Sequence, residues 1–193
     1  LGNATKPVHV PDDMKGLKWR TTKSPVEFML VKNWGATPTP YDWSQLYSGL
    51  QSGVVEGQYV ASPWQHVAKL HEVAKYFTEI GGMWSGNILA MDAKQYNALS
   101  AQEKKWLHTA ADAYGEKVNE LDNAWIKNGE DAIKASAKEW YVPSEAEMSK
   151  WRAGAIGAWL DAKGTFEPAV AKRVLMEQGM DGFVAQLEAA GAL

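Results

Sequence analysis

No proline interrupts the chain between Ser100 and Pro143, and this long stretch constrains the fold more than any other feature. Ser100 and Glu103 form a capping box, in which a hydroxyl and a carboxylate reciprocally satisfy backbone amides left unpaired at a helix start. Trp106, Leu107, Ala110, Tyr114, Val118, Leu121 and Trp125 then recur at three- and four-residue intervals. A helix running on to about Lys138 would be about 60 Å long at the usual rise per residue. That exceeds one small domain, so the helix is expected to brace two.

The preceding chain alternates strand and helix. Lys6 to Gly16 reads as an extended lead-in with one helical turn, entered at Asp12 and ended by Gly16. Leu17 to Trp19 reads as a strand end and Arg20 to Lys23 as a turn. Ser24, Pro25 and Glu27 then supply an N-cap, a first-turn proline and a reciprocal acid. Val26, Met29, Leu30 and Trp34 keep helical spacing up to a stop at Gly35. The threonine–proline alternation of Thr37 to Pro40 forbids helix and favours an extended edge. Asp42 can cap a helix through Trp43, Leu46, Tyr47 and Leu50, with Gly53 as its stop. Val54 to Val60 reads as a strand, and Ser62 with Pro63 opens a helix through Val67, Leu70, Val73 and Ala74. This rhythm predicts an α/β fold with a mainly parallel sheet and crossover helices.

Tyr76 to Met91 leans towards β over more than an average strand, with Gly81, Gly82 and Gly86 allowing it to bend from one lobe to another. After the long helix come a short strand at Glu139 to Val142 and a further capping box, Ser144 with Glu147. The helix it opens runs through Met148, Trp151, Ile156, Trp159 and Leu160 to Gly164. Pro168 to Gln178 and Asp181 to Ala190 read as two shorter helices.

Several functions are disfavoured. A net charge of -3, with basic residues scattered among acids, gives no electrostatic case for nucleic acid. Without cysteine there are no disulfides, thiolate metal sites or cysteine nucleophiles, although this does not assign a redox compartment. No run is long enough to span a bilayer, and residues 1–15 lack the charged and apolar regions of a signal peptide. Either the protein is cytosolic or a leader has been removed, and the abrupt start at Leu1 suggests truncation as well.

His71 and Glu72 begin a zincin motif, but Lys75 stands where its second histidine belongs. His66 and His71, five residues apart, fall on different helix faces. No GxSxG, P-loop or GxGxxG occurs, and neither Asp42 nor Glu56 accompanies a base or nucleophile signature. No cofactor or metal is expected.

Arg20 is the better candidate. It stands between a strand end and a capped helix start, where open α/β sheets hold ligands and helix N-termini favour anions. Its planar fork matches a carboxylate bidentately, and Lys23 adds a second cation. The other reading is that Arg20 pairs with a nearby surface acid. Arg20, Trp43, Val60 to Pro63 and Trp84 to Asn87 would line one shared crevice. Among ten tryptophans, Trp19, Trp43, Trp64 and Trp84 fall at element ends; most are expected to pack, with one or two facing a ligand.

The residues KPVHVPDDMKGLKWR, followed by GATPTPYDWSQLYSGLQSGVVEGQ, resemble the DctP-type solute-binding proteins of TRAP transporters, the tripartite ATP-independent periplasmic systems. The match is dense from Lys6 to Gln58 and weakest from Tyr141 to Leu193. The resemblance implies a lobe like those of type II periplasmic binding proteins, with a hinge-crossing strand and one very long helix. It implies a periplasmic receptor that closes on an organic acid and delivers it to the membrane subunits of a TRAP permease. Residues 1–80 would begin the ligand-binding C-terminal lobe, and 81–100 would form the hinge strand and a segment packing on the N-terminal lobe. Residues 101–140 would brace both lobes and 141–193 would form the C-terminal helices. Most of the N-terminal lobe would be missing, so this chain alone is expected to bind ligand weakly.

The family's carboxylate-binding arginine falls on Arg20, and the aromatic that packs on the ligand falls on Trp43. With them, Lys23, Tyr59, Val60, Trp64, Trp84 and Asn87 make up the expected ligand-binding set. Where many sugar-acid binders carry QENP, this chain has Gln58, Tyr59, Val60 and Ala61, so Val60 replaces a hydrogen-bonding asparagine. Lys23 also stands where many of those binders carry an uncharged polar residue. A more apolar or a more highly charged acid is therefore expected. The alternatives are a ligand-sensing input domain of a signalling receptor and an enzyme acting on an organic acid.

Overall fold

A computed structural model of the chain describes residues 1–82 and 88–193. Among the described residues six strands, β1 (Gly2–Asn3), β2 (Lys18–Thr21), β3 (Thr37–Pro40), β4 (Gly57–Gln58), β5 (Tyr76–Thr78) and β6 (Glu139–Tyr141), form one sheet in the order β3-β2-β4-β1-β5-β6. β2 runs parallel to β3 and β4, and β5 parallel to β6. β1 is antiparallel to β4 and β5 and joins the two parallel groups. Proline-bearing β3 lies on an edge, where missing N–H donors break no ladder.

Eight helices accompany the sheet among the described residues: α1 (Pro25–Asn33), α2 (Leu46–Ser52), α3 (Ser62–Val67), α4 (Ala93–Ala98), α5 (Ala101–Ser136), α6 (Glu145–Asp161), α7 (Pro168–Glu177) and α8 (Asp181–Ala189). Capping boxes open α5 and α6 at the expected residues. The stops expected at Gly35, Gly53 and Gly164 all adopt positive φ. α5 has 36 residues and is about 54 Å long. None of the described helices is long and apolar enough to cross a membrane.

The main core joins β2 and α1 to α6 through Met14, Leu17, Trp19, Val31, Trp34 and Trp151. The Trp34 and Trp151 rings meet edge to face at 5.1 Å, and Trp34 Nε1 donates to the Trp151 carbonyl at 3.1 Å. A second cluster, Leu46, Leu50, Val55 and Leu70, lies under α2. A third joins α7 and α8 through Leu175, Val184 and Leu187.

Local signals misplace several elements. Arg20 lies within β2 rather than in a turn, because pairing to Thr39 on one side and Gln58 on the other extends the strand. Val54 to Val60 contributes only the short β4, since Val55 turns into the second cluster. The helix from Ser62 stops at Val67, and Lys69 takes a left-handed φ of 56° before a 3₁₀ turn at Leu70–Glu72. That break points Leu70 into the core. Ala61, not Ser62, is the N-cap of α3, and it forms no side-chain capping bond. Asp42 likewise makes no capping bond; it precedes a 3₁₀ turn, Trp43–Gln45, that leads into α2. The lead-in turn is a 3₁₀ helix, Pro11–Met14.

The long helix ends at Ser136 rather than Lys138. Asp92 caps α4, a helix that periodicity does not reveal. Of the stretch expected to cross the hinge, Tyr76–Thr78 is strand, and residues 83–87 lie outside the described residues.

Candidate functional site

Arg20 is only 5% exposed, yet among the described residues it makes no salt bridge. The reading in which it pairs with a surface acid is therefore not what the structure shows. Its Nε donates to the Tyr41 carbonyl at 3.1 Å, which fixes the guanidinium plane, and its Cζ lies 5.9 Å from the Trp43 ring centroid. Burial pulls the Arg20 pKa below its ordinary value, while the nearby charges of Glu27 and Asp42 push back. A cation held in this way gains from an anion brought to it.

Arg20 opens into a cleft of about 790 Å³. One side is the turn between β2 and α1, with Thr22, Ser24, Val26, Glu27 and Leu30; the other is Trp43 together with Tyr59, Val60, Ala61 and Trp64. The structure thus gathers five of the expected residues, Arg20, Trp43, Tyr59, Val60 and Trp64, into one wall. Lys23 does not join them. It lines a separate depression of about 480 Å³ with Pro40, Tyr41, Asp42 and Gln45, and Arg20, Thr22 and Trp43 border both spaces. Trp84 and Asn87 lie outside the described residues. Trp19, also considered at the sequence level, is fully buried core.

The aromatic wall continues inward. Trp43 meets Trp64 edge to face at 6.4 Å, and Trp64 meets Trp125 of α5 at 5.0 Å. Trp43 and Trp64 are nonetheless 41% and 47% exposed, leaving apolar surface for a ligand to cover. The loop carrying Tyr59 to Ala61 is held from beneath by a buried amide relay. Gln58 Nε2 donates to Gln65 Oε1 at 2.6 Å, and Gln65 Nε2 donates to the Val60 carbonyl at 2.6 Å.

Glu27 is the residue that sequence reasoning did not assign to the site. The reciprocal bond to Ser24 expected of it is not formed. Ser24 Oγ accepts from the Glu27 amide at 3.5 Å, but Glu27 Oε2 instead accepts from the Thr22 amide at 2.8 Å and from Thr22 Oγ1 at 2.5 Å. The carboxylate therefore clasps the β2–α1 turn and borders the cleft. Its position in the first turn of a helix facing the crevice was the available signal. The buried Tyr59 hydroxyl has no hydrogen-bond partner among the described residues, and burial, then the Glu27 charge, pushes its pKa up to about 12.

The two histidines expected on different helix faces come together, with ring centroids 5.3 Å apart, because the helix breaks between them. Among the described residues no group of three or more His, Cys, Asp or Glu could hold a metal ion.

A model of one protein family, "Bacterial extracellular solute-binding protein, family 7" (DctP), matches residues 1–163. The ectoine-binding periplasmic protein TeaA of Halomonas elongata is 30% identical over 136 residues, covering 70% of this chain and 40% of TeaA. The 2,3-diketo-L-gulonate-binding periplasmic protein YiaO of Escherichia coli is 29% identical over 119 residues, 62% of this chain and 36% of YiaO. This chain therefore spans about two fifths of the length of these relatives. A TRAP periplasmic solute-binding protein of Xanthobacter autotrophicus Py2, solved with bound β-D-galacturonate, superposes with a TM-score of 0.75 at 18% identity, covering 97% of this chain and 58% of that one.

Proposed function

The chain belongs to the family 7 (DctP) bacterial extracellular solute-binding proteins, and on that premise we propose that it forms the carboxylate-holding lobe of a periplasmic receptor for an organic acid. The receptor passes its ligand to the membrane subunits of a TRAP permease and carries out no turnover of its own. One observation carries the reading: Arg20 is buried, oriented by the Tyr41 carbonyl, without a salt bridge among the described residues, and open to a cleft walled by Trp43 and Trp64.

Arg20 anchors the ligand carboxylate, and Trp43 covers the body attached to it. A second lobe closes over this wall, with residues 81–100 supplying the hinge and a segment that packs on that lobe, and 101–140 as the shared brace. Closure desolvates the ion pair and shifts an open-to-closed equilibrium by the ligand's greater affinity for the closed state. The YiaO and galacturonate names support an acid as cargo, while the TeaA name shows that relatives differ in what they hold.

A thermal-shift screen of the product of the complete reading frame against organic acids tests this. Ligand at about one hundred times its Kd stabilises the native state by about 2.7 kcal/mol, a readily measured shift. Absence of any acid-dependent shift contradicts the proposal.

A further inference from the structure

Resting on that receptor reading, we propose that the ligand is a monocarboxylate with an apolar body, and that Glu27 determines this specificity by excluding a second carboxylate. Among the described residues lining the cleft, Arg20 is the only cation and Glu27 the only anion. Glu27 cannot readily swing away, because the Thr22 amide and hydroxyl both hold its Oε2. A diacid anchored on Arg20 would bring its second charge into the cleft that Glu27 already occupies, where closure weakens solvent screening.

The other nearby cation, Lys23, is not part of the cleft lining. Lys23 lines the depression beyond Arg20 and Trp43, beside Asp42. Of the two directions open at the sequence level, more apolar or more highly charged, the geometry points to the first.

The wall also offers little to a polyhydroxylated acid. Its body-facing surface is Val26, Leu30, Trp43, Val60 and Trp64. Of the nearby hydroxyls, Thr22 Oγ1 already donates to Glu27, Ser24 Oγ accepts from the Glu27 amide and keeps one proton to donate, and the unpartnered Tyr59 hydroxyl is itself buried. Several sugar hydroxyls pressed against this surface would lose water for few partners, whereas an aliphatic or aromatic body covers the exposed Trp43 and Trp64 faces favourably. Attraction for one class and rejection of the other then act together.

Calorimetry on the product of the complete reading frame, unsubstituted and as Glu27→Gln, with 4-methylpentanoate, phenylacetate, L-malate and D-galacturonate, tests the inference. One or both apolar acids should bind about tenfold or more tighter than malate and galacturonate, a difference of about 1.4 kcal/mol or more. Glu27→Gln, whose amide oxygen can still accept from Thr22, should raise malate affinity relative to the apolar acids. Malate or galacturonate binding tightest, in a manner abolished by Arg20→Ala, overturns the inference and leaves the receptor reading standing. Binding of none of these acids overturns the inference, and the receptor reading falls with it only if the wider acid screen also gives no shift. An unchanged malate-to-monoacid ratio in Glu27→Gln overturns the role of Glu27.

Discussion

Gly129 of α5 receives the backbone of Pro63 so closely that a Cβ added at the glycine would lie 2.8 Å from Pro63 Cα and 2.9 Å from its nitrogen. Pro63 stands in the first turn of α3, directly after the loop that lines the cleft. Next to this contact, Trp64 meets Trp125. The first turn of α3, which follows the cleft-lining loop, is thus seated on the long helix with no intervening side chain.

Gly129→Ala should therefore destabilise the protein by about 1–3 kcal/mol, the usual cost of overpacking against backbone that cannot give way. Gly115→Ala is the control. It lies on the same helix with nothing within 4 Å of an added Cβ, so it should stabilise by about 0.5–1 kcal/mol through helix propensity alone. Urea unfolding of the two variants separates close approach from propensity.

Tyr59→Phe should raise stability by about 1 kcal/mol, because the hydroxyl it removes is buried and lacks a partner among the described residues. The alkaline limb gives a second signature. The folded phenol titrates near 12 against an ordinary value of 10.0. Its contribution is thus full below the unfolded pKa and is lost as pH rises through the folded one. Denaturant midpoints measured across that window should fall less steeply for Tyr59→Phe.

Legibility followed the range of the interactions. The capping boxes of α5 and α6 were readable because each is complete within four residues. That Arg20 and Trp43 line one cleft is readable from the strand-to-helix junctions on which they stand. β1 was not, since two residues carry no period and owe their place to β4 and β5 on either side. The break at Lys69 was missed because core packing of Leu70 overrides a continuous helical pattern. Lys23 was assigned to the site from its nearness to Arg20 in sequence, but Arg20 and Trp43 together border both the cleft and the depression that Lys23 lines.

Acid should weaken the protein partly through Glu147. Bonds from Ser144, then from Tyr141, lower its pKa from 4.5 to about 2. The stabilisation it contributes is complete above the unfolded value and is lost as pH falls through the folded one. Glu147→Gln should flatten that part of the stability profile, as read from urea midpoints between pH 5 and pH 2, and should leave the profile near neutrality parallel to that of the unsubstituted protein.

The most direct test of the central claim is calorimetric titration of the complete reading-frame product and its Arg20 variants with an acid identified by thermal shift. Saturable binding should be lost in Arg20→Ala, by about 2–5 kcal/mol as expected when one partner of a buried charge pair is removed. Arg20→Lys, which keeps the charge but not the fork, should bind measurably weaker while retaining the native circular dichroism spectrum. Affinity unchanged in both variants would contradict the assignment of Arg20 as the carboxylate anchor.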